Sequence, residues 1–254
     1  MSDSPYVSLV IPCYNEEGNV PTLLSRVEAA MNQIGRPFEV IIVDDGSNDS
    51  TPRLLAEGMA KFPWLRVLRM AKNGGQSAGF EAGFDAARGE LLATIDADLQ
   101  NDPEELPRII KLLEDQNVDM VSGWRKDRQD TNFRKWQSRQ ANRIRNWITQ
   151  DTINDSASSL KVYRTKVMKG LKLFRGAHRY FPTLAKMRGF TVIETPVKHS
   201  PRFAGTAKYG FGNRAFVGIL DLVGVRWMKM RYLRYQCNEC AREGRTTELF
   251  SRTS

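Results

Sequence analysis

The chain reads Thr94-Ile95-Asp96-Ala97-Asp98-Leu99-Gln100-Asn101-Asp102-Pro103, and an apolar run over residues 91–95 leads into the two aspartates. A short apolar run that ends in polar loop residues predicts a buried strand. Because residues i and i+2 of a strand share a face, the carboxylates of Asp96 and Asp98 can converge on one cation. Carboxylate oxygens suit Mg²⁺ or Mn²⁺ far better than Zn²⁺. An isolated acidic pair is more often a solvated strand end, so a metal site needs support from the rest of the sequence.

Strand and helix signals alternate on both sides of this stretch. Helical patterns at 20–34, 76–87 and 103–113 separate the apolar runs, and further strands around 160–162 and 190–194 are expected to complete a sheet. This alternation predicts an α/β domain with a mostly parallel sheet flanked by helices. Functional loops of such sheets lie at the carboxyl ends of the strands. The predicted strands cover 7–11, 38–43, 66–70, 91–95 and 118–122, and the loops after them include Tyr14 to Glu16, Asp44-Asp45, Asp96 to Gln100 and Gly123 to Arg125.

Charge and composition restrict the class of partner. The 254 residues carry 38 Lys and Arg against 29 Asp and Glu, a formal net charge of +9. Such an excess predicts anionic partners, namely nucleotide phosphates, nucleic acid or an acidic membrane surface. The aromatic-plus-basic pattern of a recognised RNA-binding module is missing, so nucleic acid is not the expected partner.

The cysteines and the apolar segments indicate a cytoplasmic protein. Cys13, Cys237 and Cys240 are too few for a disulfide framework, and the N-terminus lacks the features of a signal peptide. No window reaches the roughly 18 to 20 apolar residues that span a bilayer. Cys237 and Cys240 form a single C-x-x-C, which lacks the further ligands that tetrahedral zinc requires, and their role stays open.

Two polar segments allow more than one interpretation. The loop Asp44-Asp45-Gly46-Ser47 is suited to reading a base or ribose, although such a loop more commonly makes an Asx turn or a helix N-cap. The basic segment over residues 126–145 is either a solvated helix face or a phosphate-binding part of an active site.

Three motifs in this order carry a resemblance to a known family. Val10-Ile11-Pro12-Cys13-Tyr14-Asn15-Glu16, Val43-Asp44-Asp45-Gly46-Ser47 and the stretch from Asp96 to Pro103 resemble family 2 glycosyltransferases of the GT-A fold. Arg202-Phe203-Ala204-Gly205-Thr206-Ala207-Lys208-Tyr209-Gly210 is similar to the R-x-x-G-x-S-K-Y element of the subgroup with dolichyl-phosphate mannosyltransferase and undecaprenyl-phosphate glycosyltransferases. The resemblance extends over about residues 5–235.

The resemblance implies roles for individual residues. The implied catalytic residues are Asp98, Arg125, Arg202 and Lys208, with Arg125 on the donor side and the last two on phosphate. The implied nucleotide-sugar site is Pro12, Tyr14, Glu16, Val43, Asp45, Asp96 and Ala97, and the implied metal ligands for Mg²⁺ or Mn²⁺ are Asp96, Asp98 and Gln100. One departure concerns the acceptor, because Ala207 replaces the usual serine and only Thr206 beside it offers a hydroxyl.

The implied activity is metal-dependent, inverting transfer of a hexose from GDP-mannose or a UDP-sugar to a polyprenyl phosphate. A phosphate acceptor is already anionic and needs no strong general base, whereas a sugar hydroxyl does. Asp155 is a candidate base for an alcohol acceptor, although a turn residue is its commoner role. One alternative is a soluble family 2 glycosyltransferase that extends a saccharide in cell-envelope glycan synthesis. A second is a non-catalytic basic protein that binds nucleic acid or membrane.

The sequence also suggests a division of the chain. Residues 1–210 are expected to form a GT-A catalytic domain, 211–235 a C-terminal amphipathic helical extension, and 236–254 a flexible tail. A basic amphipathic helix can lie in a membrane interface or pack on the catalytic core. Together with the lipid-type motif, it favours a peripheral protein at the cytoplasmic face of the membrane. The sugar, the base, the prenyl chain and the oligomeric state remain open at this stage.

Overall fold

A seven-stranded sheet forms the centre of the molecule, with the strand order β3-β2-β1-β4-β6-β5-β7. The computed structural model describes residues 4–126, 143–200, 214–233, 235–240 and 246–252. The strands are β1 Val7–Cys13, β2 Phe38–Asp44, β3 Leu65–Arg69, β4 Leu91–Thr94, β5 Met120–Trp124, β6 Lys161–Arg164 and β7 Val192–Pro196. The predicted α/β class is confirmed.

Parallel pairing brings most strand ends to one edge of the sheet. β1 pairs in parallel with β2 and with β4, and β2 pairs in parallel with β3. β6 runs antiparallel between β4 and β5, which leaves β5 in the same direction as β4 and parallel to β7. The near-continuous apolar sequences of β1 and β2 match their position inside the sheet, where both faces are covered.

Helices cover both faces of the sheet. They are α1 Val20–Asn32, α2 Thr51–Lys61, α3 Gln76–Ala86, α4 Leu106–Asp115, α5 over residues 143–149, α6 Phe181–Met187 and α7 Arg214–Arg231. The apolar faces of α1, α2 and α4 pack into one core, and those of α3, α6 and α7 pack into a second. Neighbouring residues of β1 alternate between these cores, as Leu9 lies in the first and Val10 in the second.

Two glycines let α3 lie directly on β1. A Cβ at Gly83 would lie 2.2 Å from Cγ1 of Val10, and one at Gly79 would lie 3.0 Å from Cβ of Pro12. This close approach fixes the first turn of α3, which begins at Gln76, above the carboxyl end of β1.

The C-terminal region contains a helix and a pair of strands. Within the described part of the chain, no helix is both long enough and apolar enough to cross a bilayer. Beyond α7, β8 Tyr235–Cys240 and β9 Thr246–Arg252 pair antiparallel, and all of these residues except Tyr235 belong to the range 236–254 that was expected to be a flexible tail. The β-branched and aromatic residue types at positions Thr246, Thr247 and Phe250 favour strand β9. The division at residues 210 and 235 stays a prediction.

Candidate active site

The loops that follow β1 and β2 are joined by hydrogen bonds. The backbone amide of Asp45 donates to the carbonyl oxygen of Cys13 over 2.8 Å, and that of Asn15 donates to Oγ of Ser47 over 2.9 Å. The amide of Glu16 donates to Oγ1 of Thr51 over 2.8 Å. The structure therefore brings the predicted residues Tyr14 and Glu16 next to the Asp44 to Ser47 loop, as the order of parallel strands predicted.

Asp45 also organises the loop between β3 and α3. Its Oδ1 accepts the amide of Gly74 over 2.7 Å, and its Oδ2 accepts the amide of Gly75 over 2.9 Å. Gly75 has a φ of +88°, which a residue with a side chain rarely adopts. Asp45 thus acts first as a structural anchor of this loop, and a carboxylate has lone pairs for further donors.

A cleft of about 530 Å³ lies beside this loop and is lined by Gly46, Ser47, Arg69, Met70 and Ala71. Its volume is within the range of small-molecule pockets. Gly46 and Ser47 of this lining belong to the loop that was expected to read a base or ribose.

The two aspartates that follow β4 lie on a tight turn. Leu99, directly after Asp98, is buried and has a φ of +58°, in the left-handed region that residues with a side chain adopt uncommonly. Oδ1 of Asp98 accepts the amide of Gln100 over 3.2 Å. Nε2 of Gln76, at the start of α3, donates to Oδ1 of Asp96 over 2.6 Å. The turn thus carries all three predicted metal ligands, Asp96, Asp98 and Gln100.

The electrostatics of this turn favour a bound cation. Burial, followed by repulsion from Asp98, raises the pKa of Asp96 to about 6, and the charges of Lys161 and Arg125 oppose that shift. A divalent cation between the two carboxylates would remove the repulsion that raises this pKa. The oxygen donors present fit Mg²⁺ or Mn²⁺.

The protein supplies only part of a coordination sphere. Within the described ranges, no group of three or more His, Cys, Asp and Glu residues is placed to hold a metal ion. Mg²⁺ sites in phosphate-binding proteins commonly use one or two carboxylates and take their remaining ligands from water and phosphate. Asp96 and Asp98 fit this kind of site.

Arg125 follows β5 and forms an ion pair with Asp155. Its Nε lies 2.7 Å from Oδ2 of Asp155 and its Nη2 lies 2.9 Å from Oδ1, while its backbone amide donates to Oδ2 over 3.2 Å. Both side chains are about nine-tenths buried, with 11% and 10% exposed. From the sequence, Asp155 was expected to be a turn residue or a base, and its pairing with Arg125 was not predicted.

Two further polar residues at the site were missed. Lys161 of β6 is 1% exposed, and burial lowers its pKa to about 8, against the opposing charges of Asp155 and Asp96. Its Nζ lies 6.0 Å from the ring centroid of Phe181. A single lysine within the apolar run 160–163 was the available signal for it. The signal for Gln76 was its place after the Gly74-Gly75 turn at the same edge of the sheet.

The remaining predicted residues divide into two groups. Pro12 lies within β1 and Val43 within β2, and Ala97 is buried and stands between Asp96 and Asp98 in the chain. Arg202 and Lys208, together with Thr206 and Ala207, lie outside the described residues. Among the described residues, the amide of Ser200 donates to the carbonyl oxygen of Gln100, a predicted metal ligand, over 2.9 Å.

A family model and curated proteins match this chain. The family model described as glycosyl transferase family 2 matches residues 8–172. Dodecaprenyl-phosphate galacturonate synthase of Rhizobium johnstonii is 41% identical over 234 residues, which cover 89% of this chain and 68% of that protein. Undecaprenyl-phosphate 4-deoxy-4-formamido-L-arabinose transferase of Edwardsiella ictaluri is 40% identical over 207 residues, which cover 81% and 63%. The chain thus spans about two thirds of the length of these relatives.

Solved structures share the fold at low sequence identity. Glucosyl-3-phosphoglycerate synthase of Mycobacterium tuberculosis, solved with Mn²⁺, UDP and glucosyl-3-phosphoglycerate, matches with a TM-score of 0.62 at 13% identity, over 98% of this chain and 88% of that one. A mannosyltransferase of Pyrobaculum calidifontis, solved with GDP-mannose and Mn²⁺, matches with a TM-score of 0.54 at 20% identity, over 76% and 55%. These matches support the GT-A fold.

Proposed function

The chain belongs to glycosyl transferase family 2, and we propose that it transfers a hexose from a nucleotide-diphosphate sugar to a polyprenyl phosphate. The observation that carries the proposal is the turn with Asp96 and Asp98 beside the loops at Tyr14 and Asp45, on one edge of the sheet. The two relatives described above are named for dodecaprenyl phosphate and undecaprenyl phosphate, which supports a lipid phosphate as the acceptor.

In this proposal the donor lies across the carboxyl ends of β1, β2 and β4. Residues Pro12, Tyr14, Glu16, Val43, Asp45, Asp96 and Ala97 line the nucleotide-sugar site. Asp96, Asp98 and Gln100 would hold Mg²⁺ or Mn²⁺, as the charge repulsion between the two carboxylates suggests. When bound, the ion would neutralise negative charge on the donor diphosphate.

The chemical step is a displacement at the sugar C1. A bond forms between an acceptor phosphate oxygen and C1 while the bond from C1 to the donor diphosphate breaks, and the diphosphate keeps the electron pair. Arg125, together with Arg202 and Lys208 of the lipid-type motif, supplies positive charge to the donor diphosphate and the acceptor phosphate. The acceptor oxygen carries no proton to remove, so the reaction needs no side-chain base. Asp155 can therefore pair with Arg125 without depriving the reaction of a base.

In the same proposal, the protein acts at the cytoplasmic face of a membrane. α7 packs on the core through Leu222, Val225 and Met228 and exposes large apolar side chains on its other face. The exposed residues are Ile219, Leu220, Val223, Trp227 and Met230, and Ile144 and Trp147 of α5 are also exposed. A helix with an apolar face, exposed tryptophans and neighbouring arginines such as Arg226 and Arg231 is suited to an anionic lipid interface.

Transfer of labelled sugar tests the function directly. A panel of GDP- and UDP-sugars is incubated with undecaprenyl phosphate and Mg²⁺ or Mn²⁺, and the label is partitioned into butanol. We expect organic-soluble label that disappears with chelator and with Asp98→Ala, while Asp85→Ala, which removes an exposed carboxylate of α3, retains it. Transfer to a saccharide hydroxyl with no response to lipid phosphate would instead establish a glycan-extending enzyme.

A further inference from the structure

We infer that Asp155 is a positioning residue, which holds the guanidinium group of Arg125 in place for the donor diphosphate, and that Glu194 in turn holds Asp155. The inference rests on the proposed function, because it assigns Arg125 to the donor. It adds two residues to the site, one of which lies on a strand without any of the predicted motifs.

The geometry of the pair fixes the plane of the guanidinium group. Nε and Nη2 of Arg125 face the two carboxylate oxygens of Asp155 in a fork, at 2.7 and 2.9 Å. A two-point contact of this kind defines the orientation of a planar group, which a single hydrogen bond does not. The backbone amide of Arg125 also donates to Oδ2 of Asp155 over 3.2 Å, so the same carboxylate holds both ends of the residue.

Glu194 anchors Asp155 to the sheet. Oε2 of Glu194 accepts the backbone amide of Asn154 over 2.8 Å and its side-chain Nδ2 over 2.9 Å, while Oε1 accepts the backbone amide of Asp155 over 2.9 Å. Glu194 lies on β7 and is paired in register with Ser122 of β5, the strand that leads to Arg125. β7 therefore supports both the turn with Asp155 and the strand that leads to Arg125.

The charges around Arg125 explain why it needs a fixed partner. Asp96 and Asp98 follow β4, and the charge of Arg125 acts on Asp96. A guanidinium group without a partner would be drawn to these carboxylates and would compete with a cation for them. The ion pair with Asp155 balances that attraction and keeps the arginine directed at the phosphates instead.

Nucleotide affinity tests the inference separately from transfer. Binding of UDP and GDP with Mn²⁺ is measured by calorimetry for the wild type, Asp155→Asn, Arg125→Gln, the double variant and Glu194→Gln. Glu39→Gln is the matched control, because Glu39 pairs with Arg66 at 2.5 Å at the opposite edge of the sheet. Transfer rates for the same proteins give kcat and KM for the donor.

We expect Asp155→Asn to weaken nucleotide binding about tenfold or more and to raise the KM for the donor, as displaced binding groups do. The double variant should bind no more weakly than Arg125→Gln, because both changes remove one interaction. Glu194→Gln should give a smaller loss in the same direction, and Glu39→Gln should leave nucleotide affinity unchanged.

Four results would overturn the inference. Additive losses in the double variant would show that Asp155 acts independently of Arg125. Full nucleotide affinity in Asp155→Asn, with transfer lost at every pH, would identify Asp155 as a base. A wild-type protein that binds neither nucleotide would contradict the proposed function, and the inference with it. If Asp155→Asn does not fold, Glu194→Gln alone decides, since unchanged affinity in that variant would contradict the role of the anchor.

Discussion

The side-chain nitrogen of Lys229 lies 3.0 Å from the carbonyl oxygen of Thr149 and donates a hydrogen bond to it. The same nitrogen donates to the carbonyl oxygen of Gln150 over 2.8 Å. A cation at the C-terminal end of a helix is favourable, because the last carbonyl groups there lack partners within the helix. The contact joins α7 to α5, so that the two helices with exposed tryptophans are held together.

Membrane binding should depend on these tryptophans. Trp147 is 82% exposed and Trp227 is 62% exposed. We expect the double change Trp147→Ser and Trp227→Ser to lower the fraction of protein that sediments with anionic vesicles, since both indoles would lose their place at the lipid boundary. Met59→Ser, at an exposed apolar residue of α2, should bind as the wild type does. Equal sedimentation of all three proteins would contradict a role for this surface.

Asp151 should stabilise the fold in a pH-dependent way. Burial alone would raise its pKa, but hydrogen bonds from Thr183 and Lys186 and the charge of Lys186 lower the pKa below the usual value of an aspartate. A carboxyl whose pKa is lower in the folded state stabilises above its unfolded pKa and loses this effect as the pH falls through its folded pKa.

We therefore expect Asp151→Asn to lower the free energy of unfolding at pH 7 by about 1 to 3 kcal/mol, the usual range for a charged hydrogen bond. The difference from the wild type should shrink as the pH falls below about 4. Urea denaturation across this range measures it, with Asp115→Asn as the exposed control, whose pair with Lys111 should contribute about 0.5 kcal/mol or less. A constant difference down to pH 3 would exclude the charge of Asp151 as the cause.

Lys161 should change the stability of the fold at alkaline pH. Burial lowers its pKa from 10.5 to about 8, so between these values the unfolded chain binds more protons than the folded one. Stability contributed by this group therefore rises from about pH 8 towards pH 10.5. We expect the stability of the wild type relative to Lys161→Met to increase between pH 7.5 and pH 10, as measured by denaturant unfolding. A pH-independent difference would mean that Lys161 titrates normally.

Two glycine substitutions should change stability in opposite directions, one where α3 packs tightly on β1 and one in α7. Gly83→Ala should destabilise by about 1 to 3 kcal/mol, because its Cβ would lie 2.2 Å from a methyl group of the fully buried Val10. Gly224→Ala in α7 meets nothing within 4 Å and should stabilise by up to about 1 kcal/mol through helix propensity. Melting temperatures distinguish them, and a Gly83→Ala protein as stable as the wild type would contradict the packing described.

The sequence predicted the elements at the site well, because each signal was local. Apolar runs located β1, β2 and β4, and the polar residues directly after them were correctly expected at one edge of the sheet. Parallel pairing alone is enough to bring Tyr14, Asp45 and Asp96 together. The paired strands β8 and β9 were not expected, since the mixed composition after Gln236 gives only a weak strand signal.

The sequence by itself therefore determined the fold class, the family and the acidic turn, since these depend on periodicity and on motifs of adjacent residues. Only the tertiary structure decided which distant residues meet: Arg125 pairs with Asp155, Gln76 donates to Asp96, and the charge of Lys161 interacts with those of Asp155 and Asp96. Residue 155 lies 30 positions from residue 125, and nothing in either local sequence encodes the pairing. It arises because β6 enters the sheet antiparallel between β4 and β5, which brings the turn before β6 to the edge where β4 and β5 end.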